Sequence, residues 1–388
     1  MSKNRKLKTF LLAVLPIALL VTIFLVSTSV LAAESYKIGC IFSITGPASF
    51  LGEPEKNSAI MLADQINQKG GINGHKIQLV IYDTEGDPTK AVLNINKLIY
   101  HDKVLAVIGP SRTPTTLAVI PIVQRAEIPF ISCAAGIAIT QPVKKWVFKT
   151  PQTDAMAVAK LYSYMKKNSL KKVALITVSN AFGESGREQL EKQAPDAGIE
   201  VVAKESFGPK DTDMTPQLTK MRATAAQAII CWGTNPGPAV VAKNMKQLDI
   251  KLPLFQSHGV ASPKFIELAG DAANGIILPT GKILVAKDIA DTDPQKPVLL
   301  QYIKDYETRF KTHVSGFGGY AYDALNLLNQ ALEKSGPDKT KIRDELEKIK
   351  DYKGISGVFN FSPEEHNGLT MDAFVLVKIV NGKWQIIK

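Results

Sequence analysis

The sequence predicts an α/β protein with two doubly wound parallel sheets, and three observations carry that expectation. Short apolar runs rich in β-branched residues alternate with amphipathic runs long enough to be crossover helices. The alternation starts afresh after residues 146–150. With residues 1–32 set aside as a leader, 356 residues remain, enough for two full cores.

In chain order, residues 36–42 read as a strand, 52–68 as a helix ended by Gly70-Gly71, and 76–82 as a second strand. Asp87-Pro88 opens a helix whose inner face is Val92, Ile95, Leu98 and Ile99. Strands at 104–108 and 128–131 complete the first half. The second half carries strands at 172–177, 200–205, 228–232 and 252–256, separated by helices from 154, 183, 215 and 235. Asp87, Thr113, Thr215, Asn235 and Ser262 each stand directly before a proline, the pairing of a cap with a residue that needs no N–H, so each marks a helix start. From residue 276 onward two long amphipathic helices (297–311 and 318–334) and a shorter one (339–348) precede strands at 357–361, 373–380 and 383–387. Asn381-Gly382 joins the last two as a hairpin. No short-period repeat is visible, which excludes a solenoid.

The leader has a basic start (Lys3, Arg5, Lys6, Lys8), an apolar stretch over 10–26 and a small-residue exit in which Val30 and Ala32 fit cleavage after Ala32. An uncleaved anchor is the other reading of the same stretch. Lys37-Ile38-Gly39 before Cys40 argues against a lipid-bearing cysteine. The expectation is an exported, periplasmic protein. The full chain carries +11; four of its 47 lysines and arginines and none of its 36 acids fall in the leader, leaving a net charge of +7. Those charges are scattered without aromatic interleaving, which argues against nucleic-acid binding. Cys40, Cys133 and Cys231 sit in or beside apolar runs, so buried free thiols are expected rather than a disulfide framework. Five dispersed histidines give no zinc spacing, and no cofactor is expected.

The functional expectation centres on residues 104–116, VLAVIGPSRTPTT. A strand end faces a helix N-terminus there, with Thr113 as the expected cap and Arg112 beside it. Unpaired N–H groups and the helix dipole favour an anion such as a carboxylate. The glycines and lysine of a phosphate loop are missing. No nucleophile elbow, metal pair or framed carboxylate pair accompanies the motif, so an enzyme is not expected.

The run KIGCIFSITGPASFLG (37–52), then NQKGGING (67–74), then Asp83 and Asp87-Pro88, resembles the type I periplasmic binding proteins, and within them the Leu/Ile/Val-binding family that serves ABC importers. Gly183-Glu184, Gly259 and Gly270-Asp271-Ala272 extend the likeness over nearly the whole chain after the leader. The resemblance implies two lobes joined by a three-segment hinge, lobe I being 33–151 and 282–354 and lobe II 152–281 and 355–388. It also implies a small ligand in the cleft, hinge closure and delivery to a membrane permease. The ligand expected is a carboxylate-bearing one: a branched-chain or other neutral amino acid, or an aromatic or aliphatic acid. A monomer is expected.

Strand exits supply the candidate contacts: Phe50 and Leu51, Arg112 and Thr113, Ala134, Ala135 and Gly136, then Phe182, Thr234, Asn235 and His258. In the resembled amino-acid binders, positions matching Thr113, Ala135 and Gly136 hold the carboxylate, and an aromatic matching Phe182 covers the ligand. Those binders usually place an acid where His258 stands, to pair with the ligand ammonium; an imidazole does not replace it. Asp154 is either the ammonium receptor or a helix cap. Arg112 is either an anion contact or part of an ion pair, and the two phenylalanines are either cleft wall or plain packing. A ligand-sensing receptor and an amide- or urea-binding protein of the same fold are the rival readings; a chain ending at Lys388 without a second span disfavours the receptor.

Overall fold

The computed structural model describes residues 34–387; the leader and its cleavage site lie outside them. The first sheet is built from β1 (Tyr36–Phe42), β2 (Ile77–Asp83), β3 (Ala106–Ile108), β4 (Phe130–Ser132) and β5 (Val147–Lys149), in the order β2-β1-β3-β4-β5 and parallel throughout. Helices α1 (Ser49–Gln68), α2 (Pro88–Asn96) and α3 (Thr113–Ala126) connect its first four strands. Period-two alternation decides which face each residue serves. Ile38, Cys40, Phe42 and Ile108 pack in one cluster with Leu62 of α1, whereas Ile41, Val107 and Phe130 pack in another with Ile95 of α2 and Val123 of α3. Both faces are covered, as parallel sheets require.

The second sheet repeats the plan. After α4 (Asp154–Lys167) come β6 (Lys172–Val178), α5 (Ala181–Ala197), β7 (Glu200–Phe207), α6 (Thr215–Arg222), β8 (Ala228–Trp232), α7 (Gly237–Gln247), β9 (Leu254–Gln256), α8 (Pro263–Ala269) and β10 (Ile277–Gly281). The chain then runs through α9 (Lys296–Phe310), α10 (Gly316–Ser335) and α11 (Lys339–Glu347), pairs β11 (Tyr352–Lys353) with β12 (Val358–Phe359), and ends on β13 (Phe374–Val380) and β14 (Lys383–Ile387). The sheet order is β14-β13-β10-β9-β8-β6-β7. It is parallel except at one edge, where β13 pairs antiparallel with β10 and forms the expected hairpin with β14. Val173, Leu175 and Trp232 face α4 and α5, and Ala174, Ile176 and Cys231 face the α6–α9 side.

The chain passes between the sheets three times: after β5, after β10 and before β13. Gln152 Nε2 donates to the Ser356 carbonyl at 2.6 Å and Asn367 Nδ2 to the Pro151 carbonyl at 2.8 Å, so two of these segments are tied side by side. Helix α10 packs along α1 on the first sheet through Ala321, Leu325 and Leu328, while Leu299, Tyr302 and Tyr306 of α9 join the second sheet's cluster. Ile355 packs with the second sheet's cluster, Phe359, Phe361 and Leu369 with the first sheet, and Phe374 with the second again. The three cysteines are free and buried. Among the described residues, no helix is long and apolar enough to cross a membrane.

All five proline-marked positions lie within two residues of a helix start, but only Asp87 caps with its side chain, its Oδ1 accepting from Lys90 N at 2.9 Å. Replacing Asp87 by alanine is expected to lower stability by about 1 kcal/mol in urea unfolding, with no effect on ligand affinity.

Candidate functional site

In each sheet the strand order reverses direction between the first strand and the third, and ligands of open α/β folds settle outside the carboxyl ends at such a point. Between the two sheets lies a cavity partly open to solvent. Its wall takes Leu51 after β1, Arg112 and Thr113 after β3, and Ala135 after β4. From the opposite sheet come Phe182 after β6, Thr234 after β8 and His258 after β9. Seven of the twelve residues singled out in the sequence therefore meet around one space, from both sheets.

The other five stand one layer back, each for a physical reason. Phe50 is turned onto Phe317, ring edge to ring face at 5.6 Å. Ala134 is buried in the core cluster on the α3 side of the first sheet. Gly136 donates its N–H to Thr113 Oγ1 at 3.2 Å, so it braces the wall without forming it. Asn235 is buried after Thr234 with both amide atoms unpartnered. Asp154 is the first helical residue of α4, not its cap; Thr153 takes that role, accepting from Met156 N at 3.2 Å.

Thr113 is likewise not the cap. Arg112, extended at φ −123° and ψ 147°, precedes the helix, and Thr113 opens it. The threonine hydroxyl is therefore free of a capping bond and accepts from the facing loop instead, 3 % exposed and bordering the cavity. The first-turn N–H groups of α3 have no intrahelical acceptor. The Arg112 guanidinium donates to the Gly86 carbonyl at 3.2 Å, and no carboxylate pairs with it among the described residues. Burial lowers its pKa, so the cation lacks full hydration as well as a partner.

His258 is edge-on to Phe182, Trp232 and Phe374, with ring centroids 5.4–5.8 Å away. Burial and, secondarily, the charge on Lys149 push it down to about 3, so the imidazole is neutral. Its Nε2 lies 3.9 Å from Asp154 Oδ1, too far for a hydrogen bond, and neither ring nitrogen has a partner. Ser185 Oγ donates to Asp154 Oδ2 at 2.5 Å, and desolvation raises that carboxyl to about 6.

Ser111, Pro114, Cys133, Gly259, Phe317 and Tyr320 also border the space and were not anticipated. The first four adjoin residues that were. Phe317 and Tyr320 come from α10, far along the chain, where helical periodicity marks an inner face but not the cavity it meets. Two buried charged groups were missed as well. Glu55 of α1 accepts from Ser111 Oγ, and Lys149, at the end of β5, donates from Nζ to the Ala135 carbonyl. Among the described residues, no cluster of three potential metal ligands exists.

Comparison with known proteins agrees with this geometry. The family model described as periplasmic binding protein matches residues 35–383. A leucine-, isoleucine-, valine-, threonine- and alanine-binding protein of Pseudomonas aeruginosa is 26% identical over 321 residues, covering 81% of this chain and 83% of that protein. An extracellular ligand-binding receptor of Rhodopseudomonas palustris superposes with a TM-score of 0.86 at 29% identity, covering 91% of this chain and 99% of that one. A branched-chain amino acid transporter substrate-binding protein of Streptococcus pneumoniae, solved with isoleucine, gives 0.80 at 25% identity, with coverages of 91% and 99%. With its two α/β sheets, the cavity between them and a match over nearly all of its described length, the chain belongs to the periplasmic binding protein family, whose members bind solutes and are not enzymes.

Proposed function

We propose that this chain is the periplasmic solute-binding component of an ABC importer. It holds one small carboxylate-bearing molecule with an apolar body and hands it to a membrane permease, acting as a monomer. The amino-acid ligands named for the Pseudomonas and Streptococcus proteins support one half of the ligand range. An aromatic or aliphatic acid is the other half. The observation that carries the reading is the unpaired Arg112 guanidinium beside Thr113 and the N-terminus of α3, all at one end of a largely apolar cavity. A carboxylate there gains charge-assisted hydrogen bonds, and Leu51, Phe182 and Phe317 take the apolar part.

Closure follows from the fold. Residues 33–151 and 282–354 form lobe I in this reading, and 152–281 with 355–388 form lobe II. Bending at the three crossings brings Phe182 and His258 over a ligand seated on Thr113, and ligand shifts the population toward the closed form.

The test is thermal unfolding with amino acids and plain acids at saturating concentration. At 100 times Kd a ligand adds about 2.7 kcal/mol, enough to raise Tm by a few degrees. If no acid of either kind shifts Tm, the reading fails. Thr113→Ala is expected to weaken a bound acid by about 1–2 kcal/mol in titration calorimetry, and unchanged affinity would remove Thr113 from the site.

A further inference from the structure

Among the described residues, Arg112 is the one lysine, arginine, aspartate or glutamate that borders the cavity. Arg112 stands in the wall without an anionic partner among the described residues, and Lys149 lies fully buried behind Ala135, its Nζ bound to that residue's carbonyl. No aspartate or glutamate borders the space. Two buried carboxyls lie behind side chains that do. Ser111 stands in front of Glu55 and holds one of its oxygens. His258 stands in front of Asp154, whose other oxygen is held by Ser185. The groups facing the ligand are thus a guanidinium, hydroxyls and a neutral imidazole with two unpartnered nitrogens.

An α-amino acid brings an ammonium that must leave water on binding. In this cavity it would find the Arg112 cation and no carboxylate at the wall, the Glu55 and Asp154 carboxyls being engaged by serines behind it, and so would be an unpaired charge in a poorly hydrated place. A plain carboxylate has the opposite experience, since Arg112 and Lys149 both favour it. Granted the acid-binding reading above, we propose that the cleft selects carboxylic acids that lack an α-ammonium group, with Lys149 as a positioning residue that supplies countercharge through Ala135. His258 then serves a hydroxyl or carbonyl on the ligand body by donating or accepting a hydrogen bond.

Matched pairs differing only in the ammonium test this on the full mature chain. Isocaproate is leucine without its amino group, and hydrocinnamate is phenylalanine without it; hydrocinnamamide supplies the uncharged control. In titration calorimetry each plain acid is expected to bind at least about 30-fold more tightly than its amino-acid counterpart. Equal or tighter binding of leucine or phenylalanine overturns the proposal and leaves the acid-binding reading standing. An amide that binds as well as its acid, or no binding by any of the five, overturns the acid-binding reading itself.

Two variants sharpen the result. His258→Glu puts a carboxylate at the wall and is expected to move the acid-to-amino-acid ratio at least about tenfold toward the amino acid; an unmoved ratio overturns the ammonium argument. Lys149→Met is expected to weaken hydrocinnamate at least about tenfold while leaving hydrocinnamamide within about threefold, because only the acid carries charge for the lysine to meet. Equal losses for both ligands would reduce Lys149 to a structural part.

Discussion

Gly136→Ser is expected to reduce affinity for an acid ligand about 100-fold, roughly 2.7 kcal/mol. The backbone is not the obstacle: Gly136 sits at φ −50° and ψ 133°, open to any residue. Space is. A Cβ built there lies 2.4 Å from Thr113 Cγ2 and 3.0 Å from its Oγ1, so either the threonine or the 134–136 loop must move. Both belong to the carboxylate end of the cavity, and they are joined by the hydrogen bond from Gly136 N to Thr113 Oγ1. A shift of either takes the hydroxyl away from the ligand. The added serine hydroxyl does not offset this, because Thr113 already fills the room. Overpacking should also cost about 1–3 kcal/mol of stability, read by urea unfolding. Affinity within threefold of the parent would mean that the ligand does not rest on this junction.

That junction also shows how far the sequence could be read. Alternating strands and helices, and prolines at the helix starts, were enough for the two sheets and for most of the strand exits, since both signals depend only on near neighbours in the chain. The exact cap was readable at Asp87 but not at two helices that border the site. Arg112-Thr113 and Thr153-Asp154 each offer a capping side chain one residue late, and the extended backbone falls on Arg112 and Thr153. The consequence is functional in both cases. A helix that starts one residue earlier than the sequence suggests leaves Thr113 free to face Gly136, and it buries Asp154 against Ser185 and His258. Tyr320 falls in the helix expected over 318–334 and Phe317 just before it, but neither was legible as cavity wall, because the meeting of α10 with α1 is made by contacts some 260 residues apart in sequence. Lys149 was the least legible of all. Residues 146–150 look like the end of an apolar strand, and a lysine there reads as an exposed terminus until the Ala135 carbonyl and Asp154 are seen around it.

Lys149→Met is expected to make the ligand-free protein more stable at neutral pH while it weakens acid binding. The lysine is fully buried, and desolvation brings it down from 10.5 to about 7, against the smaller upward pull of Asp154 and Glu365. A cation with a folded pKa below its unfolded one destabilises the fold wherever the unfolded chain is protonated. Between about pH 7 and 10.5 the unfolded chain holds the proton and the folded chain has lost it. Unfolding therefore takes up a proton, and stability rises with pH across that window. Below pH 7 both states hold the proton and the lysine's contribution stays at its least favourable. The depression corresponds to roughly 3–5 kcal/mol, an upper bound on what methionine recovers. Two losses reduce the gain: the Ala135 carbonyl gives up its donor, and Asp154, already raised to about 6, gives up its nearby cation. The net should still be a rise in Tm at pH 7, and the difference between variant and parent should shrink as pH climbs from 7 toward 10.5. A parent curve that is flat over that range, or a variant that melts lower than the parent at pH 7, would mean that Lys149 is satisfied in the ligand-free protein and holds no charge in reserve for an acid. The expected pattern is the reverse, a lysine kept at a cost to stability because the anion that completes its surroundings arrives with the ligand.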